Sequence, residues 1–271
     1  MTEGFPYFTA VLFGLPQLLF AFLVAGPQRC AMLASGFLFL PWVLGAPLFD
    51  SYWSPTRIGD LPICIEDLLY CFQTGAACWF WGSLADRQRL VLDLRPQQLA
   101  RRCGLIALPI AAAMAILHAA GMPAIGYSLA VTTGVVVVLL ALRPWLWRVA
   151  LAASLGYTTT YVVFLWEVFM IWPEATGLWP TSGPAAARVL GVPLMEIAFA
   201  AIGAPAHALV VAVASQANFA DPPTATASPA TAGSLQNERT VPLLAQSAGS
   251  GLSSPPKSRN NQGPPATGID G

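Results

Sequence analysis

Long apolar runs separated by short polar stretches fill the first 214 residues. Seven of them fall at roughly 7–25, 31–49, 61–84, 104–120, 124–142, 149–171 and 189–214. A helix rising 1.5 Å per residue needs about 20 residues to cross ~30 Å of hydrocarbon, and each run meets or approaches that length. The runs are continuous and lack the period-two alternation of a membrane β-strand, so they predict helices. Glu3 precedes the first run and no basic residue does, which predicts a mature helix and not a cleaved signal. At Ser215 the pattern changes. Residues 215–271 hold eight prolines, many small polar residues and one aromatic, Phe219. Such a segment buries too little apolar surface to offset its ordering entropy and predicts a disordered tail.

Composition agrees. Of 271 residues, 56% are hydrophobic and 10% charged, against about a quarter charged in ordinary soluble domains. Thirteen basic and thirteen acidic residues cancel, leaving no basic patch for phosphates and arguing against a nucleic-acid partner. The five cysteines, Cys30, Cys64, Cys71, Cys78 and Cys103, form no CxxC pair and indicate neither zinc nor a disulfide framework. Arginines supply an orientation. Arg29, Arg87, Arg89, Arg95, Arg101, Arg102, Arg143 and Arg148 fall in the odd-numbered loops, and only Arg57 and Arg188 in the even ones. That bias predicts cytoplasmic odd loops and tail, with the N-terminus outside.

A faint internal repeat organises the spans. Pro27 stands 23 residues before Asp50, and Pro144 stands 23 before Glu167. Leu48-Phe49-Asp50 parallels Leu165-Trp166-Glu167, and each is followed by a helix with an acid near its start, Glu66 or Glu196. The predicted fold is an all-α membrane protein of seven transmembrane helices. Two parallel three-helix repeats, about 5–84 and 124–214, are joined by a linker helix at 104–120, giving a membrane domain over 1–214 and a tail over 215–271.

Glu66, Asp67, Glu167 and Glu196 fall inside predicted spans, and Asp50 lies just past the second. A charged acid at a helix centre costs about 2.5–3.5 kcal/mol on insertion scales. All sit at one level near the outer side, so a shared site is expected. Glu66 aligns with Tyr70 and Gln73, Asp67 with Cys71, Thr74 and Cys78, and Glu196 with Phe199, Gly203 and His207. Tyr52, Trp53, Tyr70, Phe72, Trp166 and Trp179 stand near the same level. Adjacent like charges in low dielectric cannot both ionise cheaply, so one of Glu66 and Asp67 is expected to hold a proton. That suits proton-coupled transport, or acid–base work on a lipid in which aromatic faces and a second carboxylate stabilise a cation.

The segment Pro47-Leu48-Phe49-Asp50-Ser51-Tyr52, followed by Ile65-Glu66-Asp67-Leu68-Leu69-Tyr70-Cys71-Phe72-Gln73-Thr74, resembles the membrane lycopene cyclases, the heterodimeric bacterial type and the cyclase domain of fungal carotenoid proteins. The resemblance spans about residues 5–214 and is densest at 41–76. It implies Glu66, Asp67, Glu196, Asp50 and Glu167 as catalytic residues, with Glu66 or Asp67 as proton donor and Glu196 as stabilising carboxylate or base. Tyr52, Trp53, Tyr70, Phe72, Trp166 and Phe199 are the implied substrate-binding aromatics, and Gly177 and Trp179 resemble the Gly-x-Trp of the following loop. Cys64 stands where the family has proline, and Met195 where an acid is usual.

The implied reaction is redox-neutral. An acid protonates the terminal double bond of a linear carotenoid, the next double bond along the chain closes a six-membered ring, and a base removes a ring proton. No flavin or other cofactor and no metal is expected. The implied partners are a lipid-soluble isoprenoid and the membrane, with room for a homo- or hetero-oligomer. Three alternatives stand beside it: a one-ring or altered cyclase, a non-catalytic relative, and a transporter, because three-plus-one-plus-three helices with Pro16-Gln17 in the first is also the layout of small sugar transporters. A seven-helix retinal protein is argued against, since the only lysine is Lys257 in the tail and no helix offers a Schiff-base amine.

Overall fold

The computed structural model describes residues 7–49, 52, 53, 55, 57, 61–180, 182 and 186–219. Seven α-helices carry it: α1 (Tyr7–Val24), α2 (Arg29–Phe39), α3 (Ile65–Leu84), α4 (Pro96–Ala119), α5 (Ala124–Leu142), α6 (Trp147–Ile171) and α7 (Leu194–Ala214). Two small antiparallel ladders complete it, β1 (Leu90–Val91) with β4 (Asn218–Phe219), and β2 (Arg188–Val189) with β3 (Val192–Pro193). Five helical segments are long and apolar enough to cross a membrane: Gly26–Phe49, Pro96–Ala119, Ala124–Leu142, Pro144–Ile171 and Leu194–Ala214. Lipid-compatible side chains cover the outside, among them Leu105, Leu108, Ile116, Val137 and Met170, all more than half exposed.

The centre of the bundle is α3. It packs against α1, α2, α6 and α7, while α6 and α7 also pack tightly on each other. Glu66, Asp67, Cys71, Gly75, Ala76, Cys78, Trp79, Phe80, Gly82 and Ser83 are its buried residues. That polar content explains why hydropathy alone does not single α3 out: its polar groups meet protein and not lipid. At the other extreme, only Leu99 and Ile110 of α4 are buried, and this helix touches only α5 and α7 to any extent.

Lipid tails are as apolar as leucine, so helices associate through close packing and hydrogen bonds. The sequence provides both. Ala200, Ala204, Ala208 and Ala212 recur every fourth residue on α7, and all are buried. A Cβ at Gly82 would lie 3.2 Å from that of Ala208. Between α2 and α3, Gly75 sits so close to α2 that a Cβ would fall 2.5 Å from Phe39 Cβ and 2.7 Å from the Ser35 carbonyl oxygen. Ser35 Oγ donates to the Gly75 carbonyl at 2.7 Å and accepts from His207 Nε2 at 2.9 Å, tying α2, α3 and α7 together. Cys64, Cys71 and Cys78 are free, buried thiols.

Four boundaries differ from the sequence expectation. The second apolar run is not one α-helix: after Phe39 the chain tightens into a 3₁₀ winding over Leu40–Phe49, where Pro41 and Pro47 each remove a backbone donor. The fourth helix begins at Pro96, eight residues earlier than the expected 104, because its first turns are polar and proline suits the first helical position. The seventh run starts as the β2–β3 hairpin, and the helix begins at Leu194. The tail expected from Ser215 is corrected over its first five residues. Ser215 and Ala217 are buried, and Asn218–Phe219 pair with Leu90–Val91. The described residues, up to Phe219, belong to one compact unit.

The ends of α1, α3 and α7 meet the starts of α4 and α6 at one basic end. The start of α6 is placed there by Val149, which packs beside Gly82 near the end of α3. Arg87 Nη1 donates to the Val24 carbonyl at 2.6 Å, Arg29 to those of Phe22 and Leu23, and Arg102 to that of Ala214. Each places a cation on the negative end of a helix dipole. Asp93 accepts from Arg95 through both oxygens and from Arg102 at 3.0 Å, and its backbone N–H donates to the Ser215 carbonyl. The Arg95 guanidinium, then that of Arg102, holds the Asp93 carboxyl well below the usual carboxylate range.

Two predictions follow the packing. Gly75→Ala should lower the thermal midpoint of the purified protein by several degrees, since overpacking costs about 1–3 kcal/mol, whereas Gly134→Ala, with nothing within 4 Å of its Cβ position, should not. Because the folded Asp93 pKa is depressed, its contribution is present above the unfolded carboxylate range and lost as pH falls through it. The midpoint difference between wild type and Asp93→Asn should therefore be full at neutral pH and shrink below about pH 4.

Candidate functional site

At the opposite end of the bundle, α3 and α7 both begin with an acid in their first turn. Cys64 caps α3 from an extended conformation. Its backbone N–H donates to Asp67 Oδ2 at 3.1 Å, closing the reciprocal box that stabilises a helix start. Arg57 Nε donates to the same oxygen at 3.0 Å, with both side chains nearly buried. Asp67 is thereby matched by a cation and held in the cap. Glu66 is wholly buried beside it, one turn before Tyr70.

The start of α7 is set by the β2–β3 hairpin, whose two-residue turn, Leu190-Gly191, has both φ angles positive (54° and 82°). Such mirror-image turns match the twist of the strands they join. The Leu194 N–H donates to the Ala187 carbonyl at 2.8 Å, anchoring the first turn of the helix that carries Glu196. Tyr161 of α6 donates from its hydroxyl to Glu196 Oε2 at 2.6 Å. Trp179, in extended chain after the 3₁₀ turn Pro173–Leu178, donates from Nε1 to Oε1 at 2.9 Å. Both carboxyl oxygens thus meet neutral donors, and no described cation lies within ion-pair distance of Glu196.

Aromatic rings enclose this carboxyl. The Tyr70 hydroxyl approaches that of Tyr161 at 3.4 Å, and Tyr157 stacks on Tyr161 with centroids 5.6 Å apart. Trp53 stacks on Trp179 at 6.1 Å and lies 6.1 Å from Tyr70, while Phe169 meets Trp179 edge-on. The buried Tyr52 hydroxyl faces Glu196 without reaching good hydrogen-bond geometry. Burial, and then the Glu196 charge, push its phenol above the usual tyrosine range. Chemically, a carboxyl whose tyrosine partner can rotate its hydroxyl to donate or accept is able to take up or release a proton. The surrounding ring faces favour a cation nearby.

Of the expected site residues, Tyr52, Trp53, Tyr70 and Glu196 come together, with Glu66 and Asp67 at the adjoining start of α3. Phe199 lies one turn along α7, edge-on to Phe49 at 6.4 Å. Phe72 turns to α2, where it meets Phe37 and covers Gly36. Glu167 and Trp166 are exposed on the outer face of α6, apart from the cluster. At about 100° per residue, Glu167 stands roughly 240° round the helix from Tyr161, which holds the inward stripe with Tyr157, Leu165 and Val168. Asp50 lies outside the described residues. Tyr161, Tyr157 and Arg57 were not anticipated. Two tyrosines four apart in an apolar helix were the available signal for the first two.

No protein-family model, curated protein or solved structure matches the chain.

Asp67→Ala should destabilise the fold by on the order of 3 kcal/mol, because it removes a helix cap and a buried partner of Arg57. Glu196→Gln, which keeps the shape and an acceptor oxygen for one donor, should cost less. Thermal unfolding of the two purified variants in detergent checks the order.

Proposed function

We propose that this chain is an integral membrane cyclase of a linear isoprenoid, of the lycopene type, working by protonation of a terminal alkene. The observation that carries this reading is Glu196: a carboxyl in the first turn of α7, held by Tyr161 and Trp179 inside a shell of aromatic faces, beside a second acid-bearing helix start. A carbocation needs a nearby negative charge, π faces and the exclusion of water, and this cluster offers all three kinds of group.

In this reading α1 and α3 cross the membrane with the five longer segments, giving seven spans. The order of elements supports the two repeats. In each, a helix leads into a 3₁₀ turn containing Pro27 or Pro144, then a second helix, then a second 3₁₀ winding, then a helix with an acid in its first turn. The exposed helix α4 is the linker. The arginine-rich end faces the cytoplasm, with the N-terminus outside.

The roles divide by environment. Asp67 is occupied by Arg57 and the cap, so Glu66 is the proton donor. Protonation of the terminal double bond leaves a tertiary cation. The next double bond along the chain attacks it, forming the ring bond and moving the cation onto a ring carbon. Glu196 stabilises that charge and removes a ring proton, which Tyr161 helps to accommodate. The proton taken from Glu66 is balanced by the one returned to Glu196, with no net redox change.

Expression in a lycopene-accumulating bacterial host, followed by chromatography of the pigments, tests the proposal. A ringed product is expected from wild type, with loss of at least a hundredfold in Glu66→Gln, in line with removal of a general acid, and a comparable loss in Glu196→Gln. Unchanged lycopene with wild-type protein well inserted in the membrane would overturn it.

A further inference from the structure

At the basic end the α5–α6 corner stands apart from the other arginine sites. Its sequence is Arg143-Pro144-Trp145-Leu146-Trp147-Arg148. Leu146 is almost fully buried and pins the 3₁₀ turn Pro144–Leu146 to the bundle. Trp145 and Trp147 are 41% and 53% exposed. The Arg143 guanidinium carbon lies 5.1 Å from the Trp145 ring centroid, and that of Arg148 lies 5.6 Å from the Trp147 centroid. Arg29, Arg87 and Arg102 spend their donors on backbone carbonyls, and Arg95 spends its own on Asp93. Among the described residues, the side chains of Arg143 and Arg148 make no hydrogen bond or ion pair.

Two guanidiniums are thus held over rings while their N–H groups remain available, between two segments long and apolar enough to cross a membrane. A guanidinium on a ring loses little freedom when it gains a second, planar partner, and its fork matches two phosphate oxygens. Exposed tryptophans at the end of a membrane bundle sit at headgroup depth. Asp86 and Asp93 are the described acids of this end, and Asp93 is already matched by Arg95 and Arg102. We infer that the Arg143–Arg148 corner is a binding site for the headgroup of an anionic glycerophospholipid, its phosphate held by the two arginines and its glycerol and upper acyl region lying on Trp145 and Trp147. This inference does not depend on the proposed reaction.

Native mass spectrometry of the full chain in detergent, with equal phosphatidylglycerol and phosphatidylcholine of the same acyl chains, tests it. Wild type is expected to retain phosphatidylglycerol over phosphatidylcholine by roughly fivefold or more. The variant Arg143→Gln/Arg148→Gln should lose that preference, and Arg143→Lys/Arg148→Lys, which keeps charge without the fork, should keep only part of it. Arg89→Gln/Arg101→Gln removes two exposed arginines from the same end and should retain it. Equal retention of both lipids by wild type would overturn the site. So would equal losses in the two glutamine double variants, which would reduce the effect to bulk positive charge. A rise in the thermal midpoint with free glycerol phosphate equal to that with phosphatidylglycerol would likewise overturn a bilayer occupant.

Discussion

Hydrocarbon offers no hydrogen bonds, so a helix that carries acids and amides must find every partner within the protein. The polar helix α3 is packed accordingly. Its first turn holds Glu66 and Asp67, and Gln73 further along donates to the Val11 carbonyl of α1. Such a helix is stable in a membrane only when ringed by others, and α1, α2, α6 and α7 supply the ring. The close approaches at Gly75 and Gly82 follow, because a central helix with four neighbours leaves little room for side chains at each crossing. The site follows too: α3 and α7 both begin with acids at this end, and Tyr70 of α3 reaches the aromatic surround of Glu196 through Tyr161.

The two ends of the bundle divide the work. At the basic end, arginines sit on helix C-termini and Asp93 clasps the chain leaving α7 to the start of α4. This end fixes the axial position of the helices. At the other end the chain is irregular, with a tight hairpin and 3₁₀ windings that bring Tyr52, Trp53 and Trp179 over the helix starts. The rigid end and the packed alanine stripe of α7 hold Glu196 where a reacting group would have to stay. The irregular chain that carries Tyr52, Trp53 and Trp179 supplies the walls.

Much of this was legible in the sequence, for identifiable reasons. Apolar runs mark helices because their length is set by the bilayer, so the seven helices fell near their observed places. The acids were legible because a carboxylate in an apolar run is expensive and stands out. Pro41 and Pro47 were visible but their effect was not, since a 3₁₀ winding and an α-helix share the same apolar composition. Tyr161 and Arg57 were missed because their meaning lies in partners on distant segments. Glu167 shows the reverse error. It repeats Asp50 in spacing from a proline, yet rotation about α6 carries it to the outer face. Linear spacing fixes depth along a helix, and only the neighbouring stripe fixes the direction in which a side chain points.

The central claim is that the Glu196 carboxyl, held by Tyr161 and Trp179, is the group that meets a polyene. Infrared difference spectroscopy of the protein in lipid membranes, with and without added lycopene, reads that carboxyl directly. The account predicts a carboxyl band that shifts on lycopene addition, is absent in Glu196→Gln and lies at an altered frequency in Tyr161→Phe. A carboxyl region unchanged by lycopene in wild-type membranes, or a wild-type difference spectrum reproduced unaltered in Glu196→Gln, would contradict it.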